Sequence, residues 1–182
     1  MRYLMDKQNN VQAVVVTGGE PTLHGQRLMQ FLEEVQSYGL MTRIETNGAN
    51  PFMLRTLIEN ELVDSIVLDI KAPLYPKRYL EAVGKTAVIS KIKRSIYLVM
   101  NSGIDYEFRT VIVPGQLSAR DIQSIAHSIH GAKRFVLHQF VPFSGTIDKK
   151  FESISPTSYD ELIGLAQKIS GIQEVRVKTQ KG

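Results

Sequence analysis

The chain has 182 residues, with 22 Lys and Arg against 18 Asp and Glu and a formal net charge of +4. Hydrophobic residues make up 43% and charged residues 22%, proportions of a globular protein that exclude a disordered one. There is no cysteine, which excludes disulfides, a thiol nucleophile and any cysteine-ligated zinc or iron–sulfur centre held by these residues.

Residues 1–10 read as the tail of a helix, with Tyr3, Leu4 and Met5 apolar. AVVVT at 13–17 is a β-branched run that predicts a strand. A helix follows over 22–38, with Leu28, Phe31, Leu32 and Val35 at helical spacing and Gly39 as its stop. MTRIET at 41–46 is the second strand. Asn50-Pro51 opens a helix with Pro in its first turn and a stripe of Leu54, Leu57, Ile58 and Leu62. SIVLDIK at 65–71 is the third strand, and 73–84 is the longest irregular connection, an ordered loop built around Tyr75, Pro76 and Tyr79. The helix over 87–101 puts Val88, Ile89, Ile92, Ile96 and Val99 on one face. It also holds the loose basic group KIKR at 91–94, which reads as a solvated surface with a weak preference for anions. A nucleic-acid patch would be more clustered and interleaved with aromatics. EFRTVIV at 107–113, KRFVLHQFV at 133–141 and EVRVK at 174–178 complete six strands. Between them lie helices at 118–130, with a capping box from Ser118 and Asp121, and at 158–170.

Strands that alternate with helices of this length pair in parallel through right-handed crossovers, so the fold class is α/β. The sheet is an open doubly wound one or part of a (β/α) barrel. No linker or repeat interrupts the pattern, which makes 1–182 a single domain. Opening on a helix tail implies that a preceding β/α unit is missing. No apolar run is long enough to cross a bilayer, and MRYLMDKQNN lacks a signal peptide's apolar core.

In parallel α/β folds the functional groups gather at the carboxyl ends of the strands. The first strand ends in Gly18, Gly19 and Glu20, where two glycines let the backbone open toward a ligand. The second ends in Glu45, Thr46, Asn47 and Gly48; Asn-Gly is a turn signal, whereas a Glu in a covered strand needs a partner. In the third, period-two alternation sends Asp69 and Lys71 to the face opposite Leu68 and Ile70. Glu107 and Arg109 share a face of the fourth. His138 reads as a hydrogen-bonded core histidine, and no histidines stand at metal-ligand spacing.

Taken in order, TGGEPT, ETNG, LDIK and RTVIVPG resemble the radical S-adenosylmethionine (radical SAM) superfamily. With VDSIVLDIKAP and GAKRFVLHQFVPFSGTID they look most like the activating proteins of anaerobic ribonucleoside-triphosphate reductase, relatives of the pyruvate formate-lyase activators. The resemblance runs over about 11–178 and implies a parallel-stranded partial (β/α) barrel, here missing its first β/α unit. It implies SAM as cofactor, with Gly18, Gly19 and Glu20 at the methionine amino group. Glu45, Thr46, Asn47, Asp69 and Lys71 lie near the carboxylate and ribose, Arg109 neutralises the carboxylate, and Ser144 stands where the formate-lyase activators carry an adenosine-side His. A monovalent cation at Glu45, Thr46 and Asp69 follows from the same likeness.

The family's four-iron four-sulfur cluster sits on a CxxxCxxC loop upstream of GGEP, which this chain lacks. The cluster is therefore expected only in an intact parent, and these residues alone are expected to be inactive. The implied activity is formation of a glycyl radical on anaerobic ribonucleotide reductase through a 5′-deoxyadenosyl radical. The implied partners are that enzyme and a flavodoxin or ferredoxin electron donor, in the cytoplasm, with no nucleic acid and no membrane. Self-association through an exposed sheet edge is also expected. The alternatives are another radical SAM enzyme, a formate-lyase activator or deazaguanine-forming synthase, and a binding or scaffold module without a cluster.

Overall fold

The computed structural model describes residues 11–84, 89–143, 146 and 148–179. In chain order the elements are β1 (Ala13–Val16), α1 (Gln26–Ser37), β2 (Met41–Thr46), α2 (Pro51–Glu59), β3 (Ser65–Asp69), α3 (Pro76–Val83), α4 (Ile89–Met100), β4 (Asp105–Ile112), α5 (Ala119–Ser128), β5 (Arg134–Gln139), α6 (Tyr159–Ala166) and β6 (Glu174–Lys178). Short 3-10 turns occupy Pro21–His24 and Lys149–Phe151. The strand order of the sheet follows the chain from β1 to β6. This is the expected α/β class. The expected helix tail over 1–10 lies outside the described residues.

The chain divides into two compact units, Met1–Leu68 with Ser90–Tyr106, and Asp69–Ile89 with Glu107–Gly182. In the first, β1 pairs in parallel with β2 and β2 with β3. Leu32 and Val35 of α1, Ile44 of β2, Leu54 and Leu57 of α2 and Ile66 of β3 are fully buried. They carry the predicted stripes into one core, as amphipathic helices on a covered sheet must. Thr42, a polar residue in this core, donates its N–H to Asp64 at 2.6 Å and its hydroxyl to the Leu62 carbonyl at 2.9 Å, so its burial leaves no donor unmet. β1 and β6 carry no buried residue; β1 alternates exposed and half-buried, with Val15 49% exposed.

The helix expected over 22–38 is broken. Gly25 has φ +52°, outside the right-handed helical region, so the Pro21–His24 turn stops there and α1 starts afresh at Gln26. Phe31, expected on the buried stripe, is 36% exposed.

In the second unit β4 pairs in parallel with β5 and β5 with β6. Phe108, Thr110 and Ile112 are buried while Glu107, Arg109 and Val111 are half-buried, the period-two signature of a strand with two unlike faces. Both expected helices here are capped by their own side chains. Ser118 and Asp121 form the capping box of α5, and Ser158 and Glu161 that of α6. The connection over 73–84 is not irregular: it contains α3. Pro76 sits in its first turn, Gly84 ends it at φ +81°, and Tyr79 is its one buried side chain, with Leu80 and Val83 exposed. One buried residue makes no periodic stripe, which is why the sequence pattern hides the helix.

α3 is tied down by charge. Arg78 donates to Asp121 from Nη2 at 2.7 Å and from Nε at 3.3 Å, and to the Gln116 carbonyl at 3.0 Å. With Ser118 adding its amide and hydroxyl, Arg78 holds the Asp121 carboxyl down at about 2. Asp121→Asn therefore removes an ion pair and half a helix cap at once. We expect it to cost about 1–2 kcal/mol, read as a lower urea midpoint with unchanged slope. An unchanged midpoint would mean that the pair is spectator surface charge.

No helix among the described residues is long and apolar enough to cross a membrane.

Candidate functional site

The expected site residues fall into two clusters, one in each unit. In the first, Glu20 organises the end of β1 against the end of β2. Its Oε1 accepts from the Thr46 hydroxyl at 2.7 Å, the Thr22 hydroxyl at 2.5 Å and the Thr22 N–H at 3.2 Å. Its Oε2 accepts from the Asn47 N–H at 2.8 Å. Thr22 and Thr46 are 1% and 3% exposed, so this is a buried lock between two strand ends that lie 26 residues apart in sequence. Charge-assisted hydrogen bonds of this kind are about twice as strong as neutral ones.

The lock fixes the two residues before it. Gly18 and Gly19 have φ of +84° and +49°, and an added Cβ would meet nothing within 4 Å at either. The glycines are thus required by backbone conformation rather than by close packing, and the exposed turn presents its backbone groups to open space.

Glu45 has the partner its position demands: Thr17 donates to it from its hydroxyl at 3.0 Å. Asn47 makes an Asx turn, its Oδ1 accepting the Ala49 N–H at 2.8 Å, as the turn reading of Asn-Gly expects. Gly48, at φ +73°, packs on Leu68, where a Cβ would stand 3.2 Å from a side-chain carbon.

The second cluster centres on Asp69. Its Oδ1 accepts from Arg109 Nε at 2.7 Å and its Oδ2 from Lys71 Nζ at 2.9 Å. Burial works to raise the Asp69 carboxyl; Arg109 and Lys71 outweigh it and hold the group below its ordinary 3.8. Arg109 is 12% exposed and Lys71 40%, so the guanidinium is built in while the ammonium reaches solvent. Beneath them lies Tyr79. Burial pushes its hydroxyl up to about 12, against the opposing pull of a hydrogen bond with the Lys71 backbone. Tyr79 thereby pins the strand end that carries Asp69 and Lys71, a role the sequence pattern does not reveal.

Lys71 also borders a cavity of about 410 Å³ in this unit, walled by Val111, Val113, Phe140 and Phe151. Phe140 and Phe151 meet edge to face with ring centres 6.2 Å apart, and Lys150 lies 4.8 Å over the Phe151 ring. Arg78, Glu81 and Asp148 also line the cavity, so it sets an aromatic wall among mixed charges, which suits a flat heterocycle carrying polar groups. The sequence pattern gives Phe140 no role beyond the strand expected over 133–141, which ends instead at Gln139, and it gives no signal for Phe151.

Ser144 lies outside the described residues. Among the described residues no three His, Asp or Glu side chains converge as a metal site, and the Thr46 hydroxyl donates to Glu20. His138 is half-buried.

A curated Methanocaldococcus jannaschii protein named as a glycyl-radical enzyme activating enzyme is 29% identical over 154 residues, 82% of this chain. The chain spans 63% of that relative's length. Among solved structures, a domain of pyruvate-formate lyase-activating enzyme from Bacteroides vulgatus matches with a TM-score of 0.67 at 15% identity, covering 91% of this chain and 98% of that one. Streptococcus suis SuiB bound to S-adenosylmethionine matches with a TM-score of 0.71 at 17% identity, covering 96% of this chain and 42% of that one. The model of the radical SAM superfamily matches residues 1–129, and the chain belongs to that superfamily.

Proposed function

We propose that this chain is the SAM-binding core of a glycyl-radical activating protein, and that its target is anaerobic ribonucleotide reductase. The observation that carries the first part is the Glu20 lock, which holds Gly18 and Gly19 in a conformation only glycine adopts readily, with open space above them. Gly18 and Gly19 are exposed, and a backbone carbonyl left to solvent can accept a hydrogen bond from an ammonium group. The donor set therefore fits the amino-acid head of SAM. The sequence resemblance assigns Asp69, Lys71 and Arg109, in the second unit, to the same ligand's carboxylate and ribose, and their charges suit those groups. When bound, SAM supplies the sulfonium carbon–sulfur bond whose cleavage the superfamily uses.

An iron–sulfur cluster does not fit these residues. The sequence has no cysteine, so no step through a cluster is derived from this chain. The protein's own part is to bind, orient and shield. The target rests on the LDIKAP and HQFVPFSGTID segments, with the Methanocaldococcus jannaschii relative supporting a glycyl-radical partner of some kind. A formate-lyase target is the second reading, favoured by the fold likeness to the Bacteroides vulgatus domain.

Calorimetry with SAM tests the first part. We expect saturable binding, weakened about tenfold by Lys71→Met at unchanged melting temperature, because the half-exposed ammonium contributes to a ligand more than to the fold. No heat at any concentration would sink the reading. Co-purification against anaerobic reductase and formate-lyase, each with its glycyl segment, decides the target.

A further inference from the structure

α2 and α4, both in the first unit, flank a groove of about 400 Å³ lined by Pro51, Phe52 and Arg55 from α2 and by Ser90, Lys91 and Arg94 from α4. Three cations converge on it, and among the described residues no carboxylate lines it. None of the three charged groups is engaged in an ion pair or hydrogen bond among the described residues. Neither helix carries an acidic residue in its first turn, where both begin at this groove. Elsewhere Arg78, Arg109, Arg134 and Arg176 each have a carboxylate partner, whereas this groove gathers three cations with none.

The groove is also apolar. Phe52 is 77% exposed within it, and Tyr97, three residues beyond Arg94 on α4, is 68% exposed. The basic run KIKR divides as the helix demands: Ile92 enters the core, while Lys91 and Arg94 flank the groove. The aromatic residues that the linear sequence failed to interleave with this run come from α2 and from the next turn of α4. Exposed aromatics beside arginines are the composition of protein-interface centres.

We propose that this groove docks an acidic segment of a protein partner, with carboxylates on Arg55, Lys91 and Arg94 and an apolar side chain over Phe52. Charge complementarity decides the class: three uncompensated cations set about a mostly apolar trough match acidic residues spaced around an apolar anchor. A nucleic acid would call for a longer cationic track, and a free nucleotide for polar groups to read its base; among the described residues Ser90 is the one hydroxyl lining the groove. None of these residues belongs to the proposed SAM site, so the two readings stand or fall separately.

Fluorescence anisotropy with a fluorescein-labelled peptide of four Glu-Asp-Phe repeats tests it on the full chain. We expect binding that weakens with salt and falls about tenfold or more in the Arg55→Glu/Arg94→Glu variant, and severalfold in Phe52→Ser. Arg120→Glu/Lys168→Glu makes the same charge change elsewhere and is expected to stay within about twofold. Equal losses in both double variants would reduce the effect to net charge and overturn the proposal. So would displacement of the peptide by an oligothymidylate as effective as the unlabelled peptide itself, or by ATP. Self-association in sedimentation velocity that the Arg55→Glu/Arg94→Glu change abolishes would assign the groove to a second copy and equally overturn it. Circular dichroism melts of each variant separate loss of binding from loss of fold.

Discussion

Glu20→Ala is expected to be among the most damaging single substitutions of a charged residue in this chain, at about 4 kcal/mol. The arithmetic is direct. Four donors lose one carboxylate, and hydrogen bonds to a charged acceptor net about 1.5–3 kcal/mol where burial prevents water from replacing them. Only part of that sum survives, since the Asn47 N–H and the loop can relax toward solvent. Glu20→Gln keeps the shape but turns one acceptor oxygen into a donor, facing either the threonine hydroxyls or the Asn47 amide. Its expected cost is about 2 kcal/mol, so it stays measurable even if the alanine variant consumes most of the ~5–15 kcal/mol stability of a domain. Urea unfolding in the order wild type, Gln, Ala is the check. If Glu20→Ala lies within about 1 kcal/mol of wild type, the lock is a surface arrangement and the proposed preorganisation of Gly18 and Gly19 goes with it.

How much of this was legible beforehand depends on whether the signal was local or shared. The strands were readable because each is a short apolar or alternating run between turn residues, and the Ser118 and Ser158 boxes because both partners lie within three residues. The run expected as one helix over 22–38 is interrupted at Gly25. Its neighbours have helical spacing, and only the positive φ imposed by closing the Glu20-capped turn breaks the run. α3 escaped because most of its faces look outward. In the candidate site, residue types at strand ends marked Glu20, Glu45, Asp69, Lys71 and Arg109. Their partners could not be read: nothing in the linear pattern joins Glu20 to Thr22, Thr46 and Asn47, from which its carboxylate accepts hydrogen bonds. Tyr79 and Phe151 sit outside any motif and matter only through the fold.

The same distinction between built-in and available groups leads to a second large effect, at Asp69. Arg109 is mostly buried and lies 2.7 Å from the carboxylate; Lys71 is 2.9 Å away but 40% exposed. Removing the carboxylate leaves the guanidinium without that partner in a site poor in water, so Asp69→Asn is expected to cost about 2–3 kcal/mol. Lys71→Met should cost under about 0.5 kcal/mol, as exposed pairs do. Replacing both partners, Asp69→Leu with Arg109→Leu, should cost clearly less than the sum of the single changes, since a buried pair gains little over apolar packing while a broken one loses much.

The pH dependence has a definite sign. The Asp69 carboxyl is depressed in the folded chain, so its contribution is fully present above the ordinary 3.8 and is lost as pH falls through the lower folded value. Wild type and Asp69→Asn should therefore differ most near neutrality and converge as the pH drops below about 4. A gap that stays constant down to pH ~2 would show that the aspartate acts through shape and not through charge. In that case Arg109 loses its assigned role as the fixed cation, and Lys71 its role as the one that is free to leave Asp69 for a ligand.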